Sequence, residues 1–342
     1  MKEPLLKGPA AEEALRNYFL SIGFYTARGC KFKFNNFDVT DIDLFLYGKS
    51  SSLNRERINV DIKNKRTPQA LERIFWAKGL QQTLQFEGCI VATNDTRPDV
   101  REFGLQNKVS VLDGRFLSRL VKSNRSHLDR INEEELLDEL DRASLGKLGG
   151  DWRGRYEKAK TRLVTSLNFD GANAWLNDIH YYFAEIAKGN HSPTAWRITY
   201  VSIAQLAICL DFILREHVTA EHDQRYRLLD EGFRYGAAGR SLATKVGKMA
   251  SSLVSTVVSD PELGRTLEHE ILRQAEELKA DILAEYFSKA AVQSSLFDLA
   301  KFFDVNAYAR EVPPASTLPS QALSIIGVLA DFFEIDRKQI LK

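Results

Sequence analysis

Thr40-Asp41-Ile42-Asp43-Leu44-Phe45-Leu46-Tyr47, a turn over Gly48 to Asn54, and Ile58-Asn59-Val60-Asp61-Ile62-Lys63-Asn64-Lys65 decide how this chain is read. Two apolar, β-branched runs of strand length joined by a Gly/Ser/Asn-rich turn predict a β-hairpin or meander. Each run carries a carboxylate among residues of core type. Burying a charge without a partner costs roughly several kcal/mol, so paired strand acids need a reason, and a shared divalent cation supplies one. Oxygen ligands from Asp43 and Asp61 suit Mg²⁺, and Lys63, two residues beyond Asp61, points to the same side of its strand. The competing account is an ordinary ion pair of Asp61 with Lys65 or Arg66 on a solvated sheet face.

Working outward, Pro9 to Ile22 predicts a helix with Leu15, Phe19 and Ile22 at core spacing and Gly23 as its stop. That phase puts Glu12 at the edge of the inward face. Phe24 to Phe34 predicts a strand. Beyond Lys63, Thr67-Pro68 starts a helix through Leu71, Ile74, Phe75, Leu80 and Leu84, which also carries Gln81 and Gln82. Phe75 and Trp76 read as core rather than base-stacking residues. Gly88 to Thr93 is a buried-type strand, Asp99 to Gln106 a helix, Val109 to Leu112 a strand, and Arg115 to Val121 opens another helix. The order is helix, three strands, helix, strand, helix, strand, helix: an α/β fold with a mixed sheet flanked by helices.

Glu12 on the leading helix, Asp43 on one strand, Asp61-Ile62-Lys63 on the next and the later Cys89-Ile-Val-Ala-Thr93 strand resemble the restriction-endonuclease-like PD-(D/E)xK nuclease superfamily. The run from Val91 to Gly104 followed by Val109-Ser-Val-Leu-Asp-Gly-Arg-Phe-Leu117 looks most like its Mrr-type branch. The resemblance covers about the first 125 residues. It departs from the pattern at Ile42, where the family has proline, and Asp41 is a second candidate acid. The resemblance implies a phosphodiesterase site in which Asp43, Asp61 and the Ile62 carbonyl hold Mg²⁺, with Mn²⁺ as substitute, and Lys63 orients or deprotonates the nucleophile. Glu12 and Gln81 are further candidates for the catalytic group. Lys65, Arg66, Arg73 and Lys78 are candidates for backbone phosphates of bound DNA.

The formal charge of +1 conceals an asymmetry: residues 1–125 hold 21 Lys/Arg against 14 Asp/Glu, a net of +7, and the remainder 26 against 32, a net of −6. The first part is suited to a polyanion. Cys30, Cys89 and Cys209 are too scattered for a disulfide framework or a zinc pattern, and with no apolar signal core near Met1 the expected location is the cytoplasm. No GxxxxGK[ST] is present. Val201 to Leu214 is the most apolar helix-length stretch; it is too short to span a bilayer and reads as a core helix.

Residues 1–125 are thus expected to form the nuclease-like unit, 126–150 an acidic helix with Glu133-Glu134-Glu135 and a linker, and 151–342 an all-helical part. Helices are predicted over 153–168, 172–188, 194–217, 224–258, 262–289, 291–303 and 320–333. Gly232, Gly236, Gly239 and Gly247 leave 224–258 as one helix or two. The expected function is a Mg²⁺-dependent DNA endonuclease of restriction or anti-phage defence. Its helical part would gate it or dock a partner protein or second copy, with no membrane involved. The alternative is an inactive nuclease-fold module that binds nucleic acid or protein in a larger complex.

Overall fold

Alternating strand and helix patterns in the first third of the chain build a five-stranded mixed sheet. The computed structural model describes residues 7–35, 37–63, 69–122, 128–143, 150–258 and 261–341. The strands β1 (Tyr25–Phe34), β2 (Phe37–Gly48), β3 (Glu56–Lys63), β4 (Gly88–Thr93) and β5 (Ser110–Leu112) lie side by side in chain order. The first three are antiparallel, and β3, β4 and β5 are parallel. A parallel return needs a crossover, and α2 (Ala70–Thr83) and α3 (Pro98–Gln106) supply it; α1 (Lys7–Ser21) and α4 (Gly114–Val121) flank them in sequence. The expected helix start at Thr67-Pro68 lies outside the described residues.

The register of β1 against β2 shifts between Phe32 and Lys33, and the facing of both strands changes a few residues earlier. Tyr25, Ala27 and then Cys30 face one hydrophobic cluster, as do Tyr47, Phe45 and then Ile42 on β2. Strict alternation would have put residues 29 and 43 there. The change of facing falls at Gly29, whose φ of 59° is a conformation glycine adopts without strain, between the in-register pairs Arg28↔Leu44 and Cys30↔Ile42 and so across from Asp43. Leu44, Leu46, Val60 and Ile62 face the other side, under Leu15 and Phe19 of α1 and Leu120 of α4.

The rest is helical: α5 (Glu133–Ala143), α6 (Trp152–Thr165), α7 (Phe169–Ala187), α8 (Pro193–Ile213), α9 (His222–Tyr235), α10 (Gly239–Val258), α11 (Pro261–Glu277), α12 (Ala280–Phe287), α13 (Ala290–Tyr308), α14 (Ser320–Phe332) and α15 (Arg337–Ile340). The span 224–258 is two helices, broken where Gly236 and Gly239 have φ near 70°. The single helix expected over 262–289 also divides, between Glu277 and Ala280.

Helix α8 with the turn after it, Pro193–His217, is 25 residues long and apolar enough to cross a membrane by length and composition, longer than the stretch singled out from sequence. Its apolar surface is used inside the protein, where 94% of its most apolar window is buried. Its polar residues are partnered: Gln205 accepts from Trp175 Nε1 at 2.9 Å, and Asp211 accepts from the Tyr47 hydroxyl at 2.7 Å and from both Nε and Nη2 of Arg55.

The sheet and the helices share one core; the expected linker over 146–150 lies almost wholly outside the described residues. Tyr25, Ala27, Phe45 and Tyr47 of the sheet share one buried cluster with Tyr156, Trp175, Phe212 and Phe303 of the helices. A buried ionic network crosses the same boundary. Glu133, on the expected acidic helix, accepts from Lys160 Nζ at 2.6 Å, Tyr156 at 2.8 Å, Tyr308 at 2.9 Å and Arg16 at 3.4 Å. Burial opposes its ionisation, but Lys160 and Arg16 outweigh it and hold the carboxyl down at about 2. Lys160 also donates to the Arg28 carbonyl, at 2.9 Å, one residue before Gly29. Because this carboxyl ionises more readily in the fold than in the free chain, its contribution is present above about pH 4.5 and is lost as pH falls toward 2. Glu133→Gln leaves Lys160 and Arg16 without their buried counter-charge. Urea unfolding at neutral pH is expected to show a loss of about 3–5 kcal/mol, with the gap to wild type closing on acidification; a gap independent of pH would contradict this account.

Candidate active site

The candidate site lies where two strands part. Pairing of β2 with β3 runs from Gly48↔Glu56 to Leu44↔Val60 and ends there. Beyond that pair the Asp43 carboxylate takes over the role of the missing ladder carbonyl and accepts from the Ile62 N–H at 2.6 Å. The N–H and C=O of one residue in an extended strand point the same way, so the Ile62 carbonyl also faces Asp43. Asp61 and Lys63 lie on the face of β3 that carries Asn59, beneath α2, whose Ala77 carbonyl Asn59 contacts.

The two acids have different surroundings. Burial, with repulsion from Asp61 and Glu12, pushes the Asp43 carboxyl up to about 6, although the Ile62 N–H and Lys63 pull it back. Asp61, buried, is held by the guanidinium of Arg73 through two hydrogen bonds, the Nε one at 2.8 Å. Lys63 is half-buried and has no ion-pair partner among the described residues.

The other sequence candidates are distributed as follows. Arg73, expected on phosphates, is the partner of Asp61. Glu12 accepts from Arg28 Nε and, at 2.9 Å, Nη2 through one oxygen, Oε2, in a cluster where Arg28 also binds Glu13 and Glu134, while its charge still reaches Asp43. Gln81 lies eight residues beyond Arg73, about 12 Å along the helix. There it donates to the Phe86 carbonyl at 3.1 Å and accepts from Lys78 at 2.8 Å. Both residues fasten the entry to β4 and stand away from the carboxylates. Asp41 is exposed on the edge-ward part of β2, paired in register with Lys31. Lys65 and Arg66 lie outside the described residues.

Helix α2 corrects a further expectation. Ala70, Ile74 and Ala77 form its buried stripe against Cys89, Val91, Val100 and Val109. Leu71, Phe75 and Trp76 are exposed. Two apolar stripes compete on this helix, and the one with small residues wins because alanine lets the helix approach the sheet closely. Leu71 and Phe75 had been assigned to the core on periodicity alone.

Among the described residues no group of three or more His, Cys, Asp or Glu converges as a metal-binding cluster. What Asp43, Asp61 and the Ile62 carbonyl present is a smaller, all-oxygen donor set. Its chemistry suits a hard divalent cation, because one of its carboxylates ionises only against burial and, to a lesser degree, neighbouring negative charge. Compared with protein-family models, curated proteins and solved structures, the chain has no match in any of the three.

Between the ordinary carboxylate range and about pH 6 the folded protein holds a proton on Asp43 that the unfolded chain has lost, so stability falls as pH rises through that window. Asp43→Asn keeps an acceptor for Ile62 N–H and removes the charge. The variant is expected to match wild type near pH 4 and to be about 1–2 kcal/mol more stable near pH 7. Parallel pH profiles in chemical denaturation would show that Asp43 is not under this strain.

Proposed function

We propose that the protein is a Mg²⁺-dependent DNA endonuclease of the restriction-endonuclease-like PD-(D/E)xK class, of Mrr type. The α/β part would carry the chemistry and the helices would hold it in place. The observation that carries this reading is the meeting of Asp43 with Asp61-Ile62-Lys63 at the fork of β2 and β3, on a sheet whose antiparallel half passes into a parallel half at β3. The net charge of +7 in residues 1–125 supports a polyanionic substrate.

Asp43, Asp61 and the Ile62 carbonyl would hold Mg²⁺ or Mn²⁺, whose contribution when bound is to polarise the scissile phosphate and acidify a water molecule. Asp43 is kept in place by the Ile62 N–H. Lys63, free of a competing carboxylate among the described residues, offsets charge developing on the phosphate and orients the attacking water. Such an activity needs restraint in a cell, which accords with a restriction or anti-phage role.

One observation favours the second reading, a non-catalytic module that binds nucleic acid or protein. Arg73 already satisfies Asp61, so the fold is neutralised there without a cation. The two readings separate in a cleavage assay with plasmid DNA and Mg²⁺ or Mn²⁺. Asp61→Ala and Lys63→Ala are each expected to lower cleavage at least about a hundredfold with the circular dichroism spectrum unchanged. Cleavage that survives both substitutions rejects the site; no cleavage by wild type, with calorimetry detecting no metal binding, supports the module.

A further inference from the structure

The two features of α2 that run against a simple metal site or a simple core belong together. Arg73 closes on Asp61, and its guanidinium lies 5.6 Å from the centre of the Trp76 ring. Trp76 is 47% exposed and Phe75 63% exposed, although rings of this size are ordinarily buried. Phe75 leans edge-on against Phe103 of α3, at 5.4 Å, which fixes the aromatic surface to the scaffold. One helix therefore presents, within a single turn, a cation engaged with the candidate site and two open aromatic faces beside it.

We propose that α2 is a sensor for an unpaired nucleic-acid strand: a base stacks on Trp76, Arg73 moves from Asp61 to the adjoining phosphate, and Asp61 becomes available for a cation. The proposal rests on the nuclease reading only for the use to which a freed Asp61 is put. The exchange is chemically balanced, because the planar fork of a guanidinium fits a phosphate as well as a carboxylate. The arginine trades one anion for another. Asp61, left with a buried charge, then gains from a divalent ion, so strand binding and metal binding reinforce each other. An unpaired strand is favoured over a duplex because a ring standing on a helix can reach a base face only where that base has left the stack. Nucleic acid is favoured over a protein partner by the cation inside the patch, by Lys63 next to Asp61, and by the net charge of +7 in residues 1–125.

The protein carries its own probe. Trp152, Trp175 and Trp196 are buried, so quenching of tryptophan fluorescence on strand binding reports Trp76. The full chain, in EDTA, is titrated with single-stranded oligothymidylate and with a duplex at equal phosphate concentration. Quenching by the single strand is expected, with duplex causing little. By a separate anisotropy readout, Trp76→Ala should weaken oligothymidylate binding roughly tenfold while Trp76→Phe restores most of it. Arg73→Gln should lower the salt dependence of binding by about one phosphate, a slope change of roughly 0.7.

The proposal is overturned by equal quenching from duplex or by unchanged affinity in Trp76→Ala. It is likewise overturned if Trp76→Ala alters the sedimentation of the protein and not its affinity for the strand, which would assign the patch to a second copy. Failure here is distinct from failure of the nuclease reading. Strand binding as described with no cleavage under any condition leaves the sensor standing without the enzyme. Cleavage that depends on Asp61 and Lys63 but ignores Trp76 leaves the enzyme standing without the sensor.

Discussion

The buried carboxylate of Glu133 is the constraint on which the remaining geometry depends. It receives hydrogen bonds from α1, α6 and α13, and through Lys160 it is tied to the backbone of β1 just before Gly29. Removing such a charge from water is expensive, and its positive and phenolic partners offset that only if each keeps its position. Arg28, next to the same Gly29, gathers Glu12, Glu13 and Glu134. The step in β1 that sets Asp43 apart from its neighbours is therefore held by ions drawn from both halves of the chain. Among the members of this network, Glu12 adds its charge to the surroundings of Asp43.

At the site itself, electrostatic balance is finely divided. Asp43 is left with a weak hold on its charge, whereas Asp61, with Arg73, is compensated. A cation arriving at this fork would meet one acid that gains from it and one that must first give up a partner. This asymmetry separates the site from an ordinary strand ion pair, in which both charges are already matched. Under the proposal made for α2, Arg73, rather than either acid, would decide the state of the site.

Much of the architecture was legible in the sequence because it is local. Period-two runs, glycine and proline breaks and helical spacing gave the element order through α4, and Asp43 and Asp61 could be singled out because an acid in an apolar strand is conspicuous wherever its partner lies. What stayed hidden depends on contacts distant in the chain. Nothing near Glu133 announces that its neighbours will be Arg16, Lys160 and Tyr308, so three successive glutamates read only as part of an acidic helix. Arg73 and Asp61 are separated by a strand end and a helix start, and a basic residue beside a suspected nuclease site reads equally well as a phosphate contact. On α2 the pattern contained two apolar stripes, and the choice between them was made by the closeness with which Ala70 and Ala77 let the helix settle on β4.

The shared cluster beneath β1 and β2 also bears on how the chain is made. The sheet surface formed by Tyr25, Ala27, Phe45 and Tyr47 is completed by residues from 152 onward. At ordinary synthesis rates of roughly 5–20 residues per second, the strands are made several seconds before those residues and emerge with that surface bare. A chain that stops early presents a sticky, unsupported sheet whose strand step is unanchored. The order of synthesis thus leaves an incomplete product with apolar sheet surface exposed before its carboxylates can be set in place.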